Sequence, residues 1–156
     1  MKTEVQKLLL TEEGYVTLSD SKYHYYLKDH QGNNRVVINQ SGTVEETNHY
    51  YPFGGVFASA GSIQPYKYNG KEFDNKKGLN WYDYGARHYD AALGRFTTND
   101  RFAEKYYSMS PYQYGANNPV NNIDVNGDTI VVNPNPNGLI DNVRMFLDLI
   151  PSIKRT

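Results

Sequence analysis

Apolar and polar residues alternate in short runs along this chain, and turn-forming residues separate the runs at intervals of about ten residues. The clearest strand patterns are Lys22–Lys28 (KYHYYLK) and Arg35–Asn39 (RVVIN), with weaker ones at Tyr15–Leu18 and Val44–Tyr51. Asp29–Asn34 (DHQGNN) separates two of these runs, and Gly and Asn tolerate the positive φ that a tight hairpin needs. The first part of the chain therefore predicts a β-meander.

The middle of the chain keeps the extended pattern but uses tyrosine and glycine instead of aliphatic residues. Two strands are predicted on either side of a turn at Asn75–Gly78. Tyrosines recur there at alternate positions, the period of a sheet face, so we expect them to pack inside sheets. The pairs are Tyr66/Tyr68, Tyr82/Tyr84 and Tyr112/Tyr114. The fold class predicted is all-β.

Helical patterns are confined to two places. Phe102–Met109 is compatible with a short helix before Pro111. Leu139–Ile150 is apolar with a period of about 3.6 residues until Pro151, which predicts one short C-terminal helix.

Changes in composition divide the chain into three units. The Gly- and Pro-bearing loop after Ser59 ends the meander, and the NPNPNG run at 133–138 is typical of a linker. The units predicted are terminal β-repeats (1–60), a Tyr-rich core (61–127) and a variable tail with linker and helix (128–156).

Composition and charge exclude several classes of function. The 156 residues carry 16 basic and 17 acidic side chains without a basic stripe, so binding nucleic acid by neutralising phosphates has no support. Cysteine is absent, which excludes disulfides, thiol catalysis and Cys-based zinc sites. Tyrosine is the main aromatic, 15 against 6 Phe and 1 Trp, so a core built from it needs partners for its hydroxyls.

The motifs of cofactor, metal and membrane proteins are not found. The four histidines lack metal-ligand spacing, and no glycine-bearing segment matches a phosphate-binding or dinucleotide loop, so neither a metal nor a cofactor is predicted. No apolar run has the length of a membrane span, and the run Leu8–Leu10 is too short for a signal peptide.

Two regions carry a family resemblance. YYLKDHQGNNRVVINQSGTVEETNHYYPFG (25–54) resembles the tyrosine/aspartate (YD) repeat of RHS proteins. Further on, YNGKEFD, GLNWYDYGARHYDAALGRF and YQYGANNPVNNID follow one another as in the RHS repeat-associated core domain. The resemblance covers roughly residues 15–127. It implies a meander of hairpins from an RHS/YD-repeat shell, followed by a Tyr-rich core segment.

The resemblance also implies a role and partners. RHS repeats wind into a hollow β-shell that holds a variable toxic domain, and the core domain closes one end. The implied function is a structural, core-closing segment of a polymorphic toxin in bacterial competition, secreted or at the cell surface. The implied partners are its own or neighbouring shell repeats, a toxin domain and an immunity protein. Missing repeats would leave an exposed sheet edge on the N-terminal side, open to self-association.

In this family the core domain also cuts the chain after itself, using an aspartate from each of two Asp-Pro-x-Gly blocks. By position the blocks correspond to Asp100-Arg101-Phe102-Ala103 and Asp124-Val125-Asn126-Gly127. The resemblance thus implies Asp100 and Asp124 as catalytic residues and a cut near Asp128-Thr129. Two close carboxylates cannot both ionise easily, so one keeps a proton while the other activates water. Arg101 and Val125 replace the two prolines, and Asp128 replaces an apolar residue.

Three functions remain open on the sequence alone: a scaffold without catalysis, a self-cleaving aspartyl protease, and a surface module that binds carbohydrate through exposed tyrosines. A truncated product without a function fits the same residues. The segment GARHYDAALGRF (85–96) carries two arginines. We expect Arg87 and Arg95 to pack between tyrosine rings or to pair with Asp83 or Asp90.

Overall fold

A computed structural model describes residues 8–132, and within that range the chain is all-β, with short 3-10 turns as its helical elements. The predicted linker (133–138) and C-terminal helix (139–150) lie outside the described residues. The strands are β1 (Leu8–Leu10), β2 (Gly14–Thr17), β3 (Lys22–Lys28), β4 (Asn34–Asn39), β5 (Val44–Tyr50), β6 (Val56–Ala60), β7 (Glu72–Asp74), β8 (Trp81–Asp83), β9 (His88–Asp90), β10 (Arg95–Phe96), β11 (Asn122–Asp124) and β12 (Ile130–Val132).

The first six strands form one antiparallel sheet in which each strand pairs with the next in sequence. The predicted β-meander is therefore confirmed. Three of its turns share one geometry, because the N–H of Gly32, Gly42 or Gly54 donates to the carbonyl three residues earlier at 2.8–2.9 Å. Each of these glycines has a positive φ of 78–87°, the conformation that side chains disfavour. This backbone requirement explains the glycine at each turn.

The remaining strands form two smaller antiparallel sheets, ordered β10-β9-β8-β7 and β11-β12. The predicted strands around Asn75–Gly78 are β7 and β8. The expected helix at 102–109 is wrong: that segment holds a single 3-10 turn, Ala103–Lys105. None of residues 102–109 is buried, and a short helix depends on burying an apolar face. The boundary between residues 127 and 128 stays a prediction, and the β11–β12 hairpin extends across it.

A cluster of aromatic rings joins the two larger sheets. Its buried members are Tyr50, Tyr68, Tyr82, Tyr84, Tyr89, Phe96 and Tyr114. Four of the six alternating tyrosines are buried, whereas Tyr66 is half-buried and Tyr112 is exposed. Of the four buried ones, Tyr82 lies on a strand, and the other three lie in turns or loops, so the alternation predicted their burial better than their place in a sheet.

Three hydroxyls of this cluster connect the second sheet, and the 3-10 turn Tyr68–Gly70 before it, to the last turn of the first sheet. Tyr68, Tyr89 and Tyr82 donate to the carbonyls of residues 52, 53 and 54, three consecutive positions, at 2.8–2.9 Å. The tyrosine rings supply the apolar contact while their hydroxyls satisfy backbone acceptors that burial would otherwise leave unpaired. The tyrosine-rich composition thus has a specific structural use.

Candidate functional site

The two aspartates predicted as a catalytic pair meet at a single arginine. Nη2 of Arg87 lies 3.0 Å from Oδ2 of Asp100 and 3.5 Å from Oδ2 of Asp124. All three side chains are buried. Carboxylates that lie far apart along the chain are therefore brought together by one guanidinium group.

Arg87 is held on every side. Its guanidinium carbon lies 3.7 Å from the centre of the Phe96 ring, Nη1 donates to the Pro111 carbonyl at 3.0 Å, and Nε donates to the Gly127 carbonyl. The expectation that this arginine packs between tyrosine rings or pairs with Asp83 or Asp90 is wrong, since its partners are Asp100, Asp124 and the Phe96 ring. It points into the protein, where buried carboxylates and carbonyls offer its fixed fork of donors more partners than the sheet surface does.

The Asp124 carboxylate organises the loop that follows it. Its Oδ1 accepts hydrogen bonds from the backbone N–H groups of Gly127 (2.6 Å), Asp128 (3.0 Å) and Thr129 (3.4 Å). Gly127 has φ +80°, and a Cβ there would lie 3.0 Å from the backbone nitrogen of Arg87. The loop therefore wraps around Asp124, with the amide of the bond predicted to be cut, Asp128-Thr129, facing the same oxygen.

Donors from residues 71, 86 and 87 also bind the backbone carbonyls of this loop. Its three consecutive carbonyls accept from the Lys71 ammonium (Val125), the Ala86 amide at 3.1 Å (Asn126) and the Arg87 guanidinium (Gly127). The loop is thus fixed by contacts rather than by the proline that stands at this position in the RHS pattern which the sequence resembles.

The loop carrying Asp100 is fixed in a matching way. Oδ1 of Asp100 accepts from the Phe102 amide at 2.7 Å, and its own amide donates to the Pro111 carbonyl at 2.9 Å. The next residue, Arg101, forms an ion pair with Asp128. The two residues that depart from the family pattern here are therefore partners, and they tie the first block to the second.

Burial sets the electrostatics of the pair. Removal from water raises the pKa of Asp124, although its backbone hydrogen bonds and Arg87 act in the opposite direction. Burial likewise lowers the pKa of Arg87, while Asp100, Asp124 and Asp128 oppose that shift. Oδ2 of Asp124 has no hydrogen-bond partner among the described residues. This oxygen is the one that faces Nη2 of Arg87 at 3.5 Å.

Sequence reasoning identified both aspartates but missed the residue that joins them. The available signal was the block GARHYD, in which Arg87 lies just before β9. Within residues 8–132, no group of three or more His, Asp or Glu side chains is placed to hold a metal ion. In the same part of the chain, no helix has the length and apolar character of a membrane span.

Comparison with known proteins gives a β fold related to RHS proteins. No family model matches the chain. Salivary gland surface protein 1 of Aedes aegypti is 40% identical over 116 residues, which cover 72% of this chain and 3% of that protein.

Solved structures share the fold. The crystal structure of TcdB2-TccC3 superposes with a TM-score of 0.62 at 27% identity, covering 69% of this chain and 5% of that one. The same complex without its hypervariable C-terminal region gives a TM-score of 0.67 at 24% identity, covering 77% and 6%. A Tc holotoxin pore from Photorhabdus luminescens gives 0.66 at 24% identity, again covering 77% and 6%. The chain thus spans a small part of each protein it resembles.

Proposed function

We propose that this chain serves as the closing part of an RHS-type β-shell in a toxin container, a structural role without turnover of a substrate. The fold shared with the TcdB2-TccC3 complexes supports this role. Secretion or display at a bacterial surface belongs to the same proposal, as do contacts with further shell repeats, a toxin domain and an immunity protein.

The observation that carries the proposal is the open form of the first sheet. Among the described residues, β1 and β6 are its outer strands, each pairing on one side. Both carry exposed apolar side chains, with Leu9 57% and Phe57 55% exposed. A long sheet with unpaired, apolar outer strands is suited to contact with more shell. In contrast, eight of the fifteen tyrosines are buried and four are exposed, so most of these rings serve packing rather than a carbohydrate surface.

We expect the isolated chain to self-associate through these strands. Analytical ultracentrifugation should show a sedimentation coefficient that rises with protein concentration, and Phe57→Lys should weaken that rise because a charge at the edge opposes pairing. Leu93→Lys is the matched control, since Leu93 is also an exposed apolar residue, at 72%, but lies outside the first sheet. A folded parent chain that stays monomeric at all concentrations would contradict the open-wall interpretation.

A second candidate function, self-cleavage, is favoured by one specific arrangement. Arg87 holds Asp100 and Asp124 together, and the loop around Asp124 presents the amides of residues 128 and 129 to its carboxylate. In this proposal Asp124 keeps the proton, because burial raises its pKa, and Asp100 activates the attacking water. The bond cut is Asp128-Thr129.

The intact mass of the chain, tagged at both ends, tests this second function. The parent chain should lose its C-terminal piece near residue 128, whereas Asp100→Asn and Asp124→Asn should keep their full mass. The raised pKa of Asp124 makes the loss faster in mild acid than in mild base, since Asp124 donates its proton only while it is protonated. Full-length mass in the parent across that pH range would exclude self-cleavage and leave the structural role.

A further inference from the structure

A second buried polar cluster lies in the first sheet, away from Arg87, and has no part in the functions above. Glu46 and Asn48 are two residues apart on β5, so both side chains point to the same face of the sheet. Each is 1% exposed. Lys67, 5% exposed, reaches them from the segment that follows β6.

One carboxylate oxygen holds both an amine and a carboxamide. Oε1 of Glu46 accepts from the Lys67 ammonium and, at 2.6 Å, from Nδ2 of Asn48. Its other oxygen accepts from the Ile63 amide at 2.9 Å. The Lys67 nitrogen and the Asn48 side chain are therefore held next to each other by the same oxygen. Two groups held in this way react faster than two groups that must first meet in solution.

The proposed reaction begins with a proton transfer inside this cluster. The Lys67 ammonium already donates to Oε1 of Glu46, so the path for one proton from the amine to the acid is an existing hydrogen bond. The product of that transfer is a neutral amine, which is a nucleophile, beside a neutral carboxylic acid, which is a proton donor.

The carbonyl of Asn48 is also prepared for attack. Its Oδ1 accepts a hydrogen bond from the Ser59 hydroxyl at 3.1 Å. When a nucleophile adds to Cγ of Asn48, negative charge develops on this oxygen, and a donor already in place stabilises it. Ser59 lies opposite Asn48 on the neighbouring strand β6, so the pairing of the sheet itself positions the donor.

We propose that the chain forms an internal amide cross-link between the side chains of Lys67 and Asn48. Glu46 first takes one proton from the Lys67 ammonium, and the neutral Nζ then attacks Cγ of Asn48. Glu46 gives that proton to Nδ2 and takes the next one from Nζ. The Cγ–Nδ2 bond breaks, the nitrogen leaves as ammonia, and Glu46 is left in its acid form. One C–N bond forms and one breaks, and no metal, oxidant or other reactant is required.

The cross-link closes a covalent ring that contains the whole of β6 and the loop leading to the core. A link of this kind limits the freedom of the unfolded chain in the way a disulfide does. The chain has no cysteine, so an amide bond would give a wall segment covalent strength that is independent of redox conditions. This inference does not depend on the proposed shell role or on self-cleavage.

The test is the intact mass of the freshly purified full chain, followed by peptide mapping. The mass should lie about 17 Da below the value from the sequence, the mass of one ammonia molecule, and one peptide pair should contain residues 48 and 67 joined. Glu46→Gln, which lacks the proton carrier, and Lys67→Arg, which keeps the positive charge, should both show the full mass. Gln64→Met is the control for the other carboxamide bonded to Glu46, and it should retain the loss.

Each other outcome overturns a defined part of the proposal. A full mass in the folded parent chain removes the cross-link altogether, and this measurement does not rely on any variant folding. A joined peptide that contains Gln64 in place of residue 48 removes Asn48 as the electrophile. Loss of ammonia that persists in Glu46→Gln removes Glu46 as the proton carrier.

Discussion

Replacing Arg87 with methionine is expected to lower the free energy of unfolding by about 3–5 kcal/mol, because two buried carboxylates lose the charge that compensates them. The same change leaves the carbonyls of Pro111 and Gly127 without their donors. Urea denaturation followed by circular dichroism measures the loss. Arg95→Met is the matched control, since Arg95 is exposed, and its effect should stay within about 0.5 kcal/mol.

A triple variant distinguishes charge from packing. Adding Asp100→Asn and Asp124→Asn to Arg87→Met removes the uncompensated charges, so part of the lost stability should return. If the triple variant is no more stable than Arg87→Met, the arginine contributes through its contacts with Phe96 and the backbone, and the ion pairs are not its main contribution.

Tyr89→Ala should cost a comparable amount, about 3–5 kcal/mol, because it opens a cavity at the centre of the aromatic cluster. The Tyr89 ring is fully buried and lies within 4.4–6.5 Å, centre to centre, of five other rings. Tyr107→Ala is the control, because Tyr107 is 88% exposed and its loss should be nearly neutral.

Tyr89→Phe isolates the hydroxyl. It keeps the ring and removes only the hydrogen bond to the Phe53 carbonyl, so we expect a loss of about 1 kcal/mol. The ordering alanine, phenylalanine, wild type should appear in the same urea titration. Equal losses for the two variants would mean that the hydroxyl contacts, rather than the ring packing, hold the sheets together.

The local features of the fold could be predicted from the sequence, and the long-range ones could not. Strands β3 and β4 follow from short runs of aromatic and β-branched residues between turn residues, which are signals within a few positions of each other. The turn glycines follow from backbone geometry in the same way. The hydroxyl contacts of the tyrosines depend on which carbonyls lie opposite after folding, so composition predicted only that partners are needed.

The residues of the candidate site were likewise predicted only in part. Family blocks named Asp100 and Asp124, and the structure places both beside Arg87, a residue for which spacing suggested nearer partners. The cluster of Glu46, Asn48 and Lys67 left no signal, since none of these residue types is unusual on a strand or in a loop. Only the return of the chain after β6 places the amine beside the carboxamide.

The three tyrosine hydroxyls that donate to the carbonyls of residues 52, 53 and 54 fix how the two larger sheets are aligned. Apolar packing alone would let one sheet slide over the other, but three directional bonds to successive carbonyls permit one alignment. An insertion or deletion within YYPFG would displace all three acceptors together, whereas a substitution would disturb one. In homologous chains this segment should therefore vary in sequence more readily than in length.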